Sequence, residues 1–412
     1  MDSKKIRNYA KLIARVGINV QPTQEVDIVS PVDQYPFGRI LVEELYKVGA
    51  AYINLKWSDA PITKLNIEYA LFDRQAHLTS YEKEEYEYKI KVHPARIYID
   101  SEDPDALKGI DQVKYGKIIA SKGAEIREYR DKYDDYCQWC IAGVPSKEWA
   151  RKVFPNLKED DAVEALWEAI LKVSRAYEGN PIENWKIHNE NLVRHAELLN
   201  KLKLKKLHYY SSNGTNLNLE LLDNVKWLAG GEFTKGRKIY FQPNIPTEEC
   251  FTTPNRNKTN GVVYASKPLS YRGEIIENFS FRFENGKVVE VKAEKGEELL
   301  KDMIKLDENA CYLGECALVP FHSPINDTGI LFFSTLYDEN AACHLALGDG
   351  FSNLIEEDNN YSKDELINMG INQSIVHTDF MIGSSDLNID GEDKDGKIHH
   401  IFVNGDWGEE FK

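Results

Sequence analysis

The first half of the chain alternates two spacings of apolar residues. Ile6, Tyr9, Leu12, Ile13 and Val16 recur at helical spacing and predict a helix closed by Gly17. Residues 25–29 predict a strand, 38–48 a helix ended by Gly49, and 51–55 a second strand. Strand, helix and strand joined by short links are the unit of a parallel α/β layer. Further strands are expected at 95–100, after a long charged segment, and at 138–143. Two helices follow. The first, 160–177, carries Leu166, Trp167, Ile170 and Leu171 on one face, and the second runs from Pro181 to about Leu202 with Trp185, Leu192, Ala196 and Leu199. Near Leu207 the texture changes to strand-like alternation, at 217–221, 275–283 and 288–293, the last two joined by the turn pair Asn285-Gly286. Short helices are expected at 297–303 and around 336–347. The fold class predicted is an α/β N-terminal domain with a parallel sheet, residues 1–206, followed by a β-rich α+β C-terminal domain, residues 207–412.

Composition narrows the functions open to such a chain. Its 412 residues suffice for two or three ordinary cores, and 42% hydrophobic residues fit a globular protein. A formal net charge of -16 opposes nucleic-acid binding, which needs clustered Lys and Arg to displace counterions. No apolar run approaches the roughly 20 residues of a membrane span. The opening residues 1–7 lead straight into the amphipathic pattern without a signal-peptide core. The expectation is a cytoplasmic protein without membrane or nucleic-acid partners. Six cysteines are too few for a disulfide framework in so long a chain. Cys137-Gln138-Trp139-Cys140 has redox-motif spacing but no second Cys or His pair nearby to complete a zinc site, and it is expected to hold two partly buried thiols. No glycine-rich phosphate loop follows a predicted strand, which disfavours a nucleotide-binding fold of the usual signature.

The candidate chemistry lies in the second half. In the apolar stretch 375–383, His377 and Asp379 stand two apart, so in a strand both side chains emerge on one face. Either a pair of metal ligands or a buried His hydrogen-bonded to a nearby Asp fits that pattern. Glu249 sits between a turn and an apolar strand, Glu315 is a lone acid in an apolar run, and His344 is framed by small apolar residues. A buried, unpaired carboxylate is expensive and calls for a cation or strong donors. Two imidazoles and three carboxylates in one half of the chain suit a pair of divalent ions, whose joint effect is to acidify a water and stabilise an oxyanion. The mixed nitrogen and oxygen donors fit Zn, Co or Mn alike.

Four strings carry a resemblance: Pro-Thr-Glu-Glu-x-Phe-Thr at 246–252, Leu-Gly-Glu-x-Ala-Leu-Val-Pro at 313–320, Asp-Glu-Asn-Ala-Ala-Cys-His at 338–344 and His-x-Asp-Phe-Met-Ile-Gly at 377–383. With the opening Tyr9-Ala10 through Gln21-Pro22, they resemble the thermophilic aminopeptidase T and aminopeptidase S family of dinuclear metallo-aminopeptidases over essentially the whole chain. The resemblance implies that Glu249, Glu315, His344, His377 and Asp379 are the metal ligands, with Glu315 and Asp379 bridging, and that Glu339 is a general base or supports the ligands from behind. It also implies a homodimer acting on short peptides. One position departs from the family pattern: seven residues after His344, where the family carries Tyr, this chain has Phe351. That change keeps open the reading of a catalytically silent metal-binding or interaction protein on the same scaffold; among enzymes, the second reading is a dinuclear hydrolase of another amide or ester bond.

Overall fold

The computed structural model describes residues 3–101, 103–355 and 361–412. They divide into two compact units, one of Met1–Glu190, Gly230–Thr247 and Leu331–Leu336, the other of Asn191–Ala229, Glu248–Ile330 and Tyr337–Lys412.

The first unit is built on a parallel sheet. β1 (Glu25–Pro31) is flanked by β2 (Tyr52–Ser58) and β3 (Ala95–Asp100), β3 by β4 (Trp139–Gly143), and β4 by the short strand Asn244–Ile245, all parallel. Alternate residues of β1, among them Val26 and Ile28, are fully buried, as are Ile97 and Cys140. The helix Tyr35–Lys47 buries Phe37, Leu41 and Leu45, and Phe37 joins Tyr9 and Trp167 in a three-ring cluster with centroids 5.9–6.3 Å apart. Gly17 does end the first helix, which widens into a π-helical turn at Ile13–Gly17; a Cβ there would lie 2.8 Å from the Cys140 sulfur. Cys137 and Cys140 are both buried. Burial pushes the Cys137 thiol up to about 12 and that of Cys140 further, so neither is a ready nucleophile.

Two features of this unit go beyond the local sequence pattern or against it. The charged stretch between β2 and β4 is largely helical, at Ala60–Tyr69, Phe72–Ala76, Ser80–Val92 and Gln112–Arg130. Ser80–Val92 buries none of its residues, so no apolar stripe announces it; a Thr79/Glu82 capping box and the Glu85–Lys89 ion pair support it instead. The second concerns the single cut at 206/207. Residues 230–247 return to the first unit because Asn244–Ile245 completes its sheet, while the helix Pro181–Leu202 places Leu192, Ala196 and Leu199 in the second unit's core.

The second unit holds two antiparallel sheets. The larger has nine strands, centred on Leu204–Tyr210, Asn216–Leu221, Pro254–Tyr264 and Glu274–Glu284. Its hairpin Glu274–Glu284/Lys287–Lys295 turns at Asn285-Gly286, both with positive φ, as that dipeptide predicts. The smaller sheet runs in the order His377–Met381, His344–Gly348, Leu313–Leu318, Cys250–Thr252 and Leu228–Ala229. Phe281 of the large sheet meets Phe380 of the small one at 4.9 Å between ring centroids, both fully buried. The helix expected around 336–347 is a short helix, Thr335–Glu339, followed by the strand His344–Gly348. That strand is buried along its whole length, and a short run buried on both faces cannot be told from a helix by its periodicity.

Candidate metal centre

The small sheet separates its two faces by residue type. Cys316, Leu318, Leu345, Leu347, Phe380 and Ile382 belong to the core cluster. The intervening residues turn to the other face, and there the register sets Glu315 opposite Ala346 and Ala346 opposite Asp379, while Ala317 pairs His344 and Gly348 pairs His377. Ala346 therefore sits between Glu315 and Asp379, and Ala317 and Gly348 stand beside His344 and His377, which lets side chains from neighbouring strands approach across the face. Leu313 and Glu315 would share a face in a regular strand. A bulge at Gly314 breaks the register, so Leu313 enters the core and Glu315 the site. Glu249 immediately precedes the strand Cys250–Thr252, which pairs with the Glu315 strand.

This brings the five candidate ligand residues together. Ligand atoms of Glu249, Glu315 and His344 all lie within 4.8 Å of one another, and so do those of Glu315, His377 and Asp379, with Glu315 common to both triads. His344 Nε2 stands 3.1 Å from Glu249, and His377 Nε2 stands 3.0 Å from Glu315 and 3.2 Å from Asp379. Each imidazole is held from behind through its other nitrogen: His344 Nδ1 bonds the Ala342 carbonyl at 3.1 Å, and His377 Nδ1 bonds the Asp349 carbonyl at 2.9 Å. A carbonyl can only accept, so Nδ1 carries the proton and Nε2 is left to face the acids, the orientation metal-ligating histidines usually adopt. Glu339 stands beside the triads, at the end of its short helix, and shares a hydrogen bond with Asp379.

The electrostatics are those of a cluster short of positive charge. Glu249, Glu315, His344 and Asp379 are all buried, and His377 is the most open, its side chain 29% exposed. Burial pushes the Glu315 carboxyl up to about 7, helped by the charges of Glu249 and Asp379. Burial, with Asp379 and Glu249, raises Glu339 well above the ordinary range. Burial disfavours the charged imidazoles too, yet the surrounding carboxylates outweigh it and hold the pKa of His344 and His377 well above the usual histidine value. Asp379 resists burial because the adjacent His377 favours its ionised form. Among the described residues, Glu249, Glu315 and Asp379 form ion pairs with these two histidines alone. A largely buried set of four carboxyls and two imidazoles, which among the described residues forms no ion pair with Lys or Arg, is a donor set that divalent cations complete, and its chemistry fits the metals proposed from sequence.

Other residues shape the site without any signal that singled them out in sequence. Asn340 bonds the Glu248 N–H and the Glu339 carboxyl, and Ala346 keeps open the row between Glu315 and Asp379. Phe351 lies beside the site, its ring centroid 5.2 Å from that of His377 and 5.3 Å from that of Phe251.

Comparison with known proteins agrees over nearly the whole chain. The family model described as thermophilic metalloprotease (M29) matches residues 2–407. Aminopeptidase AmpS of Bacillus subtilis (strain 168) is 42% identical over 406 residues, 98% of each chain, and aminopeptidase T of Thermus thermophilus is 36% identical over 408 residues, again 98% of each. The solved structure of wild-type AmpT from Thermus thermophilus superposes with a TM-score of 0.89 at 35% identity, covering 98% of this chain and 99% of that one. An N-terminal parallel sheet followed by antiparallel sheets is thus the fold of a relative as well as of this chain.

Proposed function

Because the chain belongs to the thermophilic metalloprotease family, we propose that it is a metal-dependent aminopeptidase that removes N-terminal residues from short peptides, using two divalent ions. Glu249, Glu315 and His344 would hold one ion and Glu315, His377 and Asp379 the other, and the observation that carries this reading is the sharing of Glu315 by two complete triads. When bound, such ions polarise a carbonyl and make a water acidic enough to attack near neutral pH. The chain's own groups supply the rest. The imidazoles, locked through Nδ1, keep Nε2 fixed toward the acids so that little reorganisation is needed on binding. Glu339, one hydrogen bond from Asp379, would in its ionised form accept a proton from the attacking water and return it to the leaving amine. The excess of carboxylates favours a substrate whose N-terminus is a free ammonium.

Zn, Co and Mn all suit the donors. The six free thiols, all buried, accord with a reducing cytoplasmic setting, and no helix among the described residues is long and apolar enough to cross a membrane. A homodimer is proposed from the family resemblance, and light scattering on the eluted protein checks it. The function is tested with paired peptides bearing free and acetylated N-termini, with chelator and then with each metal restored. Hydrolysis of the free peptides only, lost in chelator and regained with metal, is the expected result. Equal cleavage of blocked peptides would instead identify a hydrolase of another amide bond. Absence of turnover in every metal would favour a silent binder, the reading that Phe351 beside His377 keeps open.

A further inference from the structure

The segment that carries Glu249 and the helix that carries Glu339 are joined by one side chain. Asn340 is fully buried; its Oδ1 accepts the backbone N–H of Glu248 at 2.7 Å, across 92 residues of sequence, and its Nδ2 donates to Glu339 Oε1 at 3.3 Å. We propose that Asn340 is a positioning residue of this site, fixing the Glu249 carboxylate and the Glu339 carboxyl relative to each other through the two ends of one amide. The role rests on the aminopeptidase reading for its catalytic half and on the geometry alone for its metal-binding half.

The chemistry needed at this position is narrow. Thr247, Glu248 and Glu249 are all buried, so the Glu248 N–H needs an acceptor supplied by the protein. On the other side, Glu339 Oε1 needs a donor, since a second acceptor would repel it. A carboxamide offers both from adjacent atoms without net charge. An aspartate at 340 would keep the acceptor and lose the donor, and an alanine would lose both. The two substitutions therefore take the proposed roles apart.

The test measures metal affinity, by competition with a fluorescent zinc chelator, together with kcat and KM at saturating metal. Residues that orient ligands from behind typically contribute 10–100-fold to metal affinity or activity. Asn340→Ala is expected to weaken zinc binding by about 10–100-fold and to lower kcat, with KM little changed. Asn340→Asp is expected to bind zinc at least as tightly as the parent, yet to lose about 10–100-fold in kcat. A general loss of packing would move both properties together in both variants, so the split is the signature. The proposal is overturned if Asn340→Asp keeps the parental kcat, or if its zinc affinity falls as that of Asn340→Ala does. Should Asn340→Ala fail to fold, as judged by circular dichroism, the Asp variant still decides. If the parent cleaves no peptide, the aminopeptidase reading fails, while the contrast in zinc affinity between the two variants still tests the link to Glu249.

Discussion

Replacing Gly314 by Ala probes how the bulge aims the site. A Cβ at 314 would lie 2.0 Å from the carbonyl oxygen of Asp349 and 2.5 Å from that of Gly348. Non-bonded atoms settle near 3.5 Å, so the backbones must part by about 1.5 Å. Neither obstacle is a flexible side chain that can rotate away. The Asp349 carbonyl is also the group that holds His377 Nδ1 at 2.9 Å, so the movement that relieves the clash releases the imidazole. Two costs are expected: about 1–3 kcal/mol of stability for the overpacked strand, and about 10–100-fold in metal affinity for the lost orienting bond, or roughly 1.4–2.7 kcal/mol. Isothermal titration with zinc reads the second and a thermal melt of chelated protein the first. Gly123→Ala is the control. It lies within the helix Gln112–Arg130 with nothing near the added atom, and should stabilise by about 0.5–1 kcal/mol through helix propensity while leaving metal binding alone. Parental zinc affinity and turnover in Gly314→Ala would refute the view that this bulge positions His377.

Removing the shared acid Glu315, or Asp379 of the second triad, should be more severe: Glu315→Ala or Asp379→Ala is expected to abolish hydrolysis of leucyl-p-nitroanilide, and near-normal turnover by both would end the proposed mechanism. Protons and metal should compete for the centre. In the metal-free protein Glu315, His344 and His377 all hold their protons to higher pH than when unfolded, so the folded state binds more protons and this cluster's stability falls as pH rises from about 5 through 7. Metal needs these groups deprotonated, so its binding should release protons and stabilise more at pH 7 than at pH 5; melts with and without zinc at both pH values check this, and equal stabilisation would contradict it. Phe380→Ala should cost about 3–5 kcal/mol in a denaturant titration, because it empties the contact with Phe281 beneath the site, and a loss under 1 kcal/mol would show that the sheets do not lean on this ring.

Much of the fold was open to reading because it repeats a local rule. The alternation in residues 25–29 and 95–100, the helix faces built on Tyr9 or Leu166 and the Asn285-Gly286 turn each carry their signal within a few residues. The helices between β2 and β4 were hidden because Ser80–Val92 buries nothing, and helices held by caps and surface ion pairs leave no apolar stripe. The run 336–347 was misjudged for the opposite reason, burial on every side. Asn244–Ile245 is two residues long and joins the first sheet only after the chain has passed through part of the second unit, so nothing local could assign it.

For the site, the sequence alone identified unusual groups: acids and imidazoles in apolar frames, whose burial is costly enough to need a reason. It also placed His377 and Asp379 on one face, since strand geometry repeats every two residues. Only the tertiary structure decided that Glu315 joins them. A bulge at Gly314 turns that carboxylate away from the core, the register sets it across Ala346 from Asp379, and the Ala342 and Asp349 carbonyls choose which imidazole nitrogen faces the acids. Register and carbonyl contacts arise between strands distant in sequence, and their energy exists only once those strands have paired.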